Sequence, residues 1–266
     1  MIQVVFANYG CGAAIQSAVR SLARCDESRS VEVVIVENGG TPVDVSSLLE
    51  LGLQSVETIS AKQNVGYFGA MRLAWESTSE REFHYRVLCN PDIEFVQTNF
   101  VRAMLSLPKA SNIAAIAPSV LSLRSGVDQN PYLANMPSRF QRWWWRLLYA
   151  SFQIYKLRCA LGERVRSARQ DRVEQCTIYA PHGSIMIFSP LFFELQRSFD
   201  SIPFLYAEEL FVGEMIRRAG WIVSYVPRLQ VAHKENVVTG LLPSRQRFEM
   251  QRAAMNAFLR YQSGAQ

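Results

Sequence analysis

The chain has 266 residues, of which 49% are hydrophobic, so it can bury a sizeable core as one large α/β domain or two small ones and is not a disordered polypeptide. A formal charge of +5 favours anionic partners such as phosphates, nucleotides or an acidic membrane surface, without choosing among them. The five cysteines (Cys11, Cys25, Cys89, Cys159, Cys176) are scattered and never form a Cys-x-x-Cys pair, which argues against a disulfide framework or a zinc site and for a reducing, cytoplasmic setting. The start, MIQVVFANYG, lacks the basic and apolar regions of a signal peptide, and no run reaches the roughly 20 apolar residues of a membrane span, so a soluble or peripheral protein is expected.

In chain order, a β-branched run at Ile2–Phe6 predicts a strand, about Ala13 to Ala23 a helix, Val31–Val36 a strand, about Gly66 to Trp75 a helix and Tyr85–Leu88 a strand. This alternation predicts a mainly parallel sheet flanked by helices, with ligands at the carboxyl ends of the strands. The loops there read Ala7-Asn8-Tyr9-Gly10, Glu37-Asn38-Gly39-Gly40 and Asn90-Pro91-Asp92. A fourth, Asn64-Val65-Gly66-Tyr67-Phe68-Gly69, has glycines that admit close backbone approach and a following helix whose amides suit a diphosphate.

Between Asp128 and Glu163 there is no acidic residue, whereas Arg139, Arg142, Arg146, Lys156 and Arg158 fall there. Read as one helix, Arg139–Leu157 places Phe140, Trp144, Leu147, Leu148, Phe152 and Tyr155 on one face and Arg139, Arg142, Arg146 and Gln153 on another. Such a basic amphipathic insertion suits a membrane interface; the alternative is a helix packed on the domain with a solvated basic edge. Beyond it, Gly183–Phe188 reads as a buried strand, Glu208–Ala219 as a helix, Trp221–Val226 as a strand stopped by Pro227, and Ser244–Tyr261 as a basic helix.

Four places can carry chemistry. Asp92, at a turn after a strand, can hold a divalent cation that bridges phosphate oxygens, although Pro and Asp also favour plain turns. Glu208 and Glu209 open a helix whose dipole favours ionised carboxylates; neighbours about 100° apart suit one general base, with the other residue supporting it. His233 can complete a metal shell, and His182, beside Gly183, can line an acceptor pocket; His84 reads as a plain loop histidine.

Asn8-Tyr9, Val34-Ile35-Val36-Glu37-Asn38, Asn64–Gly69, Leu88–Asp92, Gly183-Ser184, Phe199-Asp200, Tyr206-Ala207-Glu208-Glu209, Gly220-Trp221 and Val226-Pro227 leading to His233 recur in an order that resembles the family 2 inverting glycosyltransferases of GT-A fold. The nearest pattern is that of the rhamnosyltransferase-like bacterial members. The resemblance implies a single GT-A domain: a nucleotide-sugar-binding half (1–125), a basic aromatic helical insertion (126–175), an acceptor and catalytic half (176–243) and a C-terminal helix (244–266).

It also implies roles. Ala7, Asn8, Tyr9, Glu37, Asn64, Gly66, Gly69, Asn90 and Asp92 would lie along the nucleotide-sugar. Asp92 and His233 would hold Mg2+ or Mn2+, Glu209 with Glu208 would deprotonate the acceptor, and His182, Gly183 and Tyr206 would face it. The implied donor is dTDP-rhamnose or a UDP-sugar. The implied acceptor is a glycan or lipid-linked sugar of bacterial surface polysaccharide synthesis, met at the inner face of the cytoplasmic membrane. Phe211 and Met215 stand where many relatives carry an acid and an arginine, which leaves a non-catalytic scaffold of a polysaccharide assembly complex as the alternative. Rossmann dehydrogenases fit less well, because Gly10-Cys11-Gly12 is followed by Ile15 where a third glycine belongs. Nucleotidylyltransferases lack their glycine-rich, arginine-bearing loop here, and nucleic acid does not call for a tryptophan-rich face.

Overall fold

In a computed structural model of the chain, residues 1–108, 111–162, 174–235 and 245–264 are described. The amino-terminal part is β1 (Ile2–Asn8), α1 (Gly12–Ala23), β2 (Val31–Glu37), β3 (Ser55–Ser60), α2 (Gly66–Ser77) and β4 (Tyr85–Cys89). Strands β3, β2, β1 and β4 lie side by side and parallel. Their apolar residues run almost without interruption because both faces are covered. Val4, Phe6, Val33, Ile35 and Val87 face α1, while Val5, Val34, Val36 and Leu88 face α2.

The sheet continues through β5 (Ile93–Glu94), α3 (Phe100–Leu105), β6 (Ile113–Ser122), α4 (Arg139–Leu148), α5 (Phe152–Gly162), β7 (Cys176–Ile178), β8 (Ile185–Phe188), α6 (Glu208–Arg218), β9 (Ile222–His233) and α7 (Arg245–Ser263). The order is β3-β2-β1-β4-β8-β6-β9-β5, with β7 also on β9. Here pairing is mixed, since β8 runs antiparallel to both β4 and β6, whereas β9 is parallel to β6. The α/β class and the single helix-flanked sheet stand, with the parallel part concentrated in β1 to β4.

Two expectations need correction. Pro227 does not stop the last strand: β9 passes it and continues to His233, because the proline falls where the β6–β9 register shifts from Pro118–Val226 to Ser119–Gln230, and a bulge needs no ladder donor. Nor is Arg139–Leu157 one helix. Ser138 caps α4 by accepting from the Gln141 amide at 3.1 Å, the helix ends at Leu148, and α5 restarts at Phe152, where the Ser151 hydroxyl accepts from the Gln153 amide. The break turns Tyr149, Phe152 and Tyr155 onto Phe248 of α7. Together with Trp145 against Phe258, these rings seat α4 and α5 on α7, which packs in turn on α6 through Phe211.

Candidate active site

The ends of β1, β2 and β4 form one side of the site. Asn8 is buried and donates to the Glu37 carboxylate at 2.6 Å and to the Thr41 carbonyl at 3.0 Å; the other Glu37 oxygen accepts from the Val43 amide at 2.9 Å. Asn38, also buried, accepts from the Val65 amide at 3.2 Å and donates to the Gly66 carbonyl at 3.0 Å, so the loop before α2 is tied to the end of β2. Asn64 accepts from the Gly66 amide at 3.0 Å. Gly66 has φ 77°, and a Cβ there would collide with the Phe204 carbonyl; one at Gly69 would press on Val65. Ala7 is half-buried at the β1 end, and Tyr9 is exposed beside Gly39.

Asp92 and His233 meet where β5 pairs with β9. The Asp92 carboxylate lies 3.3 Å from His233 Nε2, and both residues are buried. The Gln129 amide nitrogen donates to Glu235, so its oxygen faces His233 Nδ1 at 2.7 Å and fixes the proton on Nδ1. In the neutral ring Nε2 then offers its lone pair toward Asp92. A buried carboxylate oxygen and an imidazole nitrogen side by side are a donor pair that would hold a divalent cation. Among the described residues no third His, Cys, Asp or Glu joins them.

Across the rim, α6 begins after two residues in the left-handed region, Tyr206 at φ 70° and Ala207 at φ 62°. Neither is glycine, and such backbone costs about 1–3 kcal/mol per residue unless the surroundings impose it. Glu208 is buried with one carboxylate oxygen lacking a hydrogen bond, and burial together with Glu209 pushes its carboxyl up to about 8. Burial also raises Glu209, opposed by its own backbone amide and by a hydrogen bond from the Tyr132 hydroxyl. A Cβ on Gly183 would sit 3.3 Å from the Glu209 carboxylate, so glycine there leaves that oxygen its room.

His182 links the two sides. Its ring lies 5.8 Å from His233 and 6.4 Å from Tyr132, and its Nδ1 is 2.8 Å from the Ser184 hydroxyl. Buried Asn130 accepts from the His182 amide at 2.7 Å and so sets this position. The Asn90 amide donates to the Ser184 carbonyl, joining the β4 turn to the same segment. The Tyr67 phenol, pushed well above its ordinary value by burial, also feels Cys89, Glu208, Asp92 and Glu209, which places it amid the acidic groups.

Contacts thus link Asp92, His233, His182, Gly183 and Glu209 to one another, while Asn8, Glu37, Asn64, Gly66 and Gly69 lie at the ends of β1 and β2 and along the loop and first turn of α2. Tyr206 is hydrogen-bonded to Arg247. His84 binds the chain's own amino terminus at 3.1 Å, as a structural histidine would. Sequence reasoning missed Tyr132, Gln129 and Asn130, which follow β6 and carry no local motif. Phe211 and Met215 are buried, Phe211 against Phe258 and Tyr261, so apolar packing fills the place of the acid–arginine pair. All five cysteines are free thiols.

The sequence matches no family model. It is 22% identical over 252 residues to an N-acetylglucosaminyl-diphospho-decaprenol L-rhamnosyltransferase of Mycobacterium tuberculosis, a span of 92% of this chain and 79% of that protein. Among solved structures, GalNAc-T7 with UDP, GalNAc and Mn2+ superposes with a TM-score of 0.61 at 14% identity, over 94% of this chain and only about half, 47%, of its own. A Pyrobaculum calidifontis mannosyltransferase in complex with GDP-Man and Mn2+ superposes with a TM-score of 0.55 at 12% identity, over 99% of this chain and 73% of its own. The chain thus has the fold of GT-A glycosyltransferases and is similar in sequence to a rhamnosyltransferase.

Proposed function

We propose that the chain transfers a sugar, with inversion, from a nucleoside-diphosphate sugar to a glycan or lipid-linked acceptor in bacterial surface polysaccharide synthesis. The donor is dTDP-rhamnose or a UDP-sugar. The observation that carries this reading is that the Glu209 carboxylate lies beside Gly183 and Tyr132, next to His182, whose ring in turn lies 5.8 Å from His233 of the Asp92–His233 pair. A base and a diphosphate-holding corner on either side of one cleft are what in-line displacement at an anomeric carbon requires.

Glu209 accepts the proton of the acceptor hydroxyl as its oxygen attacks the anomeric carbon, and the bond from that carbon to the diphosphate breaks with its electron pair leaving on the nucleotide. Asp92 and His233 would hold Mg2+ or Mn2+, which when bound neutralises charge on the departing diphosphate. Asn8 and Glu37 hold the ends of β1 and β2 open toward the base, and Asn38 fixes the Asn64–Gly69 loop along the donor. Glu208, kept neutral by burial near physiological pH, supports Glu209 without competing for the proton. His182, Gly183 and Tyr206 face the acceptor.

No helix among the described residues is long and apolar enough to cross a membrane. A cytoplasmic protein working at the inner membrane face, with peripheral contact through 139–158, accords with an acceptor on a lipid carrier such as the mycobacterial relative's name describes. The test is release of nucleoside diphosphate from a panel of dTDP-, UDP- and GDP-sugars with Mg2+ or Mn2+ against EDTA, in the presence of lipid-linked and short glycan acceptors. Metal-dependent release from one donor is expected. No binding of any donor would overturn the reading and favour a scaffold.

A further inference from the structure

Helices α4 and α5 carry a surface that the transfer reaction does not use. No residue of α4 is buried, although six of its ten residues are apolar or aromatic. Trp145 and the following Tyr149 turn inward to Phe258 and Phe248. The opposite side holds Phe140 (72% exposed), Trp143 (53%), Trp144 and Leu147, with Leu157 (62%) on α5 beyond them. Phe140 and Trp143 stack on each other at 5.8 Å.

A second row flanks this one. Arg139, Arg142 and Arg146 recur at helical spacing and, with Leu259 and Ser263 of α7, line a cavity of about 270 Å3. None of the five lining residues is acidic, and the single described hydrogen bond of the Arg142 side chain is to neutral Gln262 at 3.3 Å. At about 30 Å3 per water, the cavity has room for a phosphate group. Lys156 and Arg158 extend the positive charge along α5, and no Asp or Glu occurs between Asp128 and Glu163 to balance it.

Bulky aromatics beside unpaired-in-sign arginines match a bilayer surface, where tryptophan rings sit at headgroup level and guanidinium groups reach the phosphates. We propose that α4 and the adjoining edge of α5 form a docking surface for an anionic phospholipid bilayer. Phe140, Trp143, Trp144, Leu147 and Leu157 enter the headgroup layer, and Arg139, Arg142 and Arg146 hold a lipid phosphate in the groove against α7. This face differs from the one that an unbroken 139–157 helix predicts, because Phe152 and Tyr155 are spent on Phe248. Docking requires no turnover and is measured separately from it.

The experiment is flotation of the full chain with vesicles of phosphatidylcholine alone or mixed with phosphatidylglycerol. Wild type is expected to float with the anionic vesicles only, less so at high salt, and to show a blue shift of tryptophan emission. Arg139→Gln/Arg142→Gln/Arg146→Gln lowers the partition coefficient by on the order of a hundredfold. Phe140→Ser/Trp143→Ser/Trp144→Ser abolishes both flotation and the blue shift, with circular dichroism unchanged in both triple variants. Soluble glycerol phosphate leaves the wild type on the vesicles. Equal flotation with neutral vesicles, no flotation at all, undiminished flotation of either folded variant, or displacement by soluble glycerol phosphate would overturn the proposal.

Discussion

The two sides of the cleft are held by opposite means. On the donor side, buried polar side chains are satisfied in pairs: Asn8 with Glu37 and Thr41, Glu37 with the Val43 amide, Asn38 with Val65 and Gly66. On the acceptor side, Glu208 is buried with an unpartnered oxygen, Glu209 is raised by burial, and two non-glycine residues adopt left-handed backbone immediately before α6. A fully satisfied network gives a rigid, preformed surface, whereas uncompensated burial and strain cost stability and persist only where the rest of the fold imposes them. The comparison teaches that the parallel half of the sheet is built as a satisfied, rigid surface, where we propose the donor binds, and that uncompensated carboxylates gather at the start of one helix, where we propose the base stands. Perturbed carboxylates cluster where catalysis needs them.

Breaking the diphosphate-holding corner costs much of the rate. Asp92→Ala is expected to lower the transfer rate by about 10²–10³-fold, with a raised metal requirement, since charge on the departing diphosphate is then less well neutralised. A rate series against Mn2+ concentration reads it. Gly66→Ala tests the join between the sides: its side chain meets the Phe204 carbonyl and its φ is 77°, so a loss of about 3 kcal/mol or more is expected in denaturant unfolding.

Glu208→Gln sharpens the contrast through stability. The folded-state value of about 8 lies above the ordinary 4.5, so the folded chain keeps a proton that the unfolded chain gives up. Stability therefore falls as pH rises from about 4.5 to about 8 and is level above that. The amide stays neutral, so the variant gains on wild type across this window, in melts taken at successive pH values. The smallest effect belongs to Tyr132→Phe. Its hydroxyl lowers the Glu209 value, so removing it moves the acidic limb of the rate profile to higher pH and reduces kcat severalfold, with donor KM unchanged.

The same division governs what the sequence reveals. Strands β1, β2 and β4 are legible because they are buried on both faces and end in polar turns, which is also why the loops at Asn8, Glu37 and Asp92 stand out. Strand β3 escapes notice because Ser55–Ser60 is a half-exposed edge with polar residues between its apolar ones. Strand β6 escapes because alanines and Pro118 weaken its pattern, while the fold tolerates that proline at the register shift with β9. His233 is recognisable as a chemical residue, but its place as the last residue of β9, opposite Ile93, depends on pairing across 140 positions. Tyr132 and Gln129 are invisible locally, since only the packing of the loop after β6 against His182 and His233 gives them a role. The 139–157 segment announces its composition but not its break, because Ser151 competes with the helix by capping the next one.

The central claim is that donor binding and proton removal reside on different sides of the cleft. The direct test is titration calorimetry of the donor with Mn2+, paired with turnover, on Glu209→Gln. Donor affinity within about twofold of wild type together with a rate loss of about 10²–10⁴-fold is the predicted result. Loss of donor binding along with turnover, or turnover retained, would contradict it.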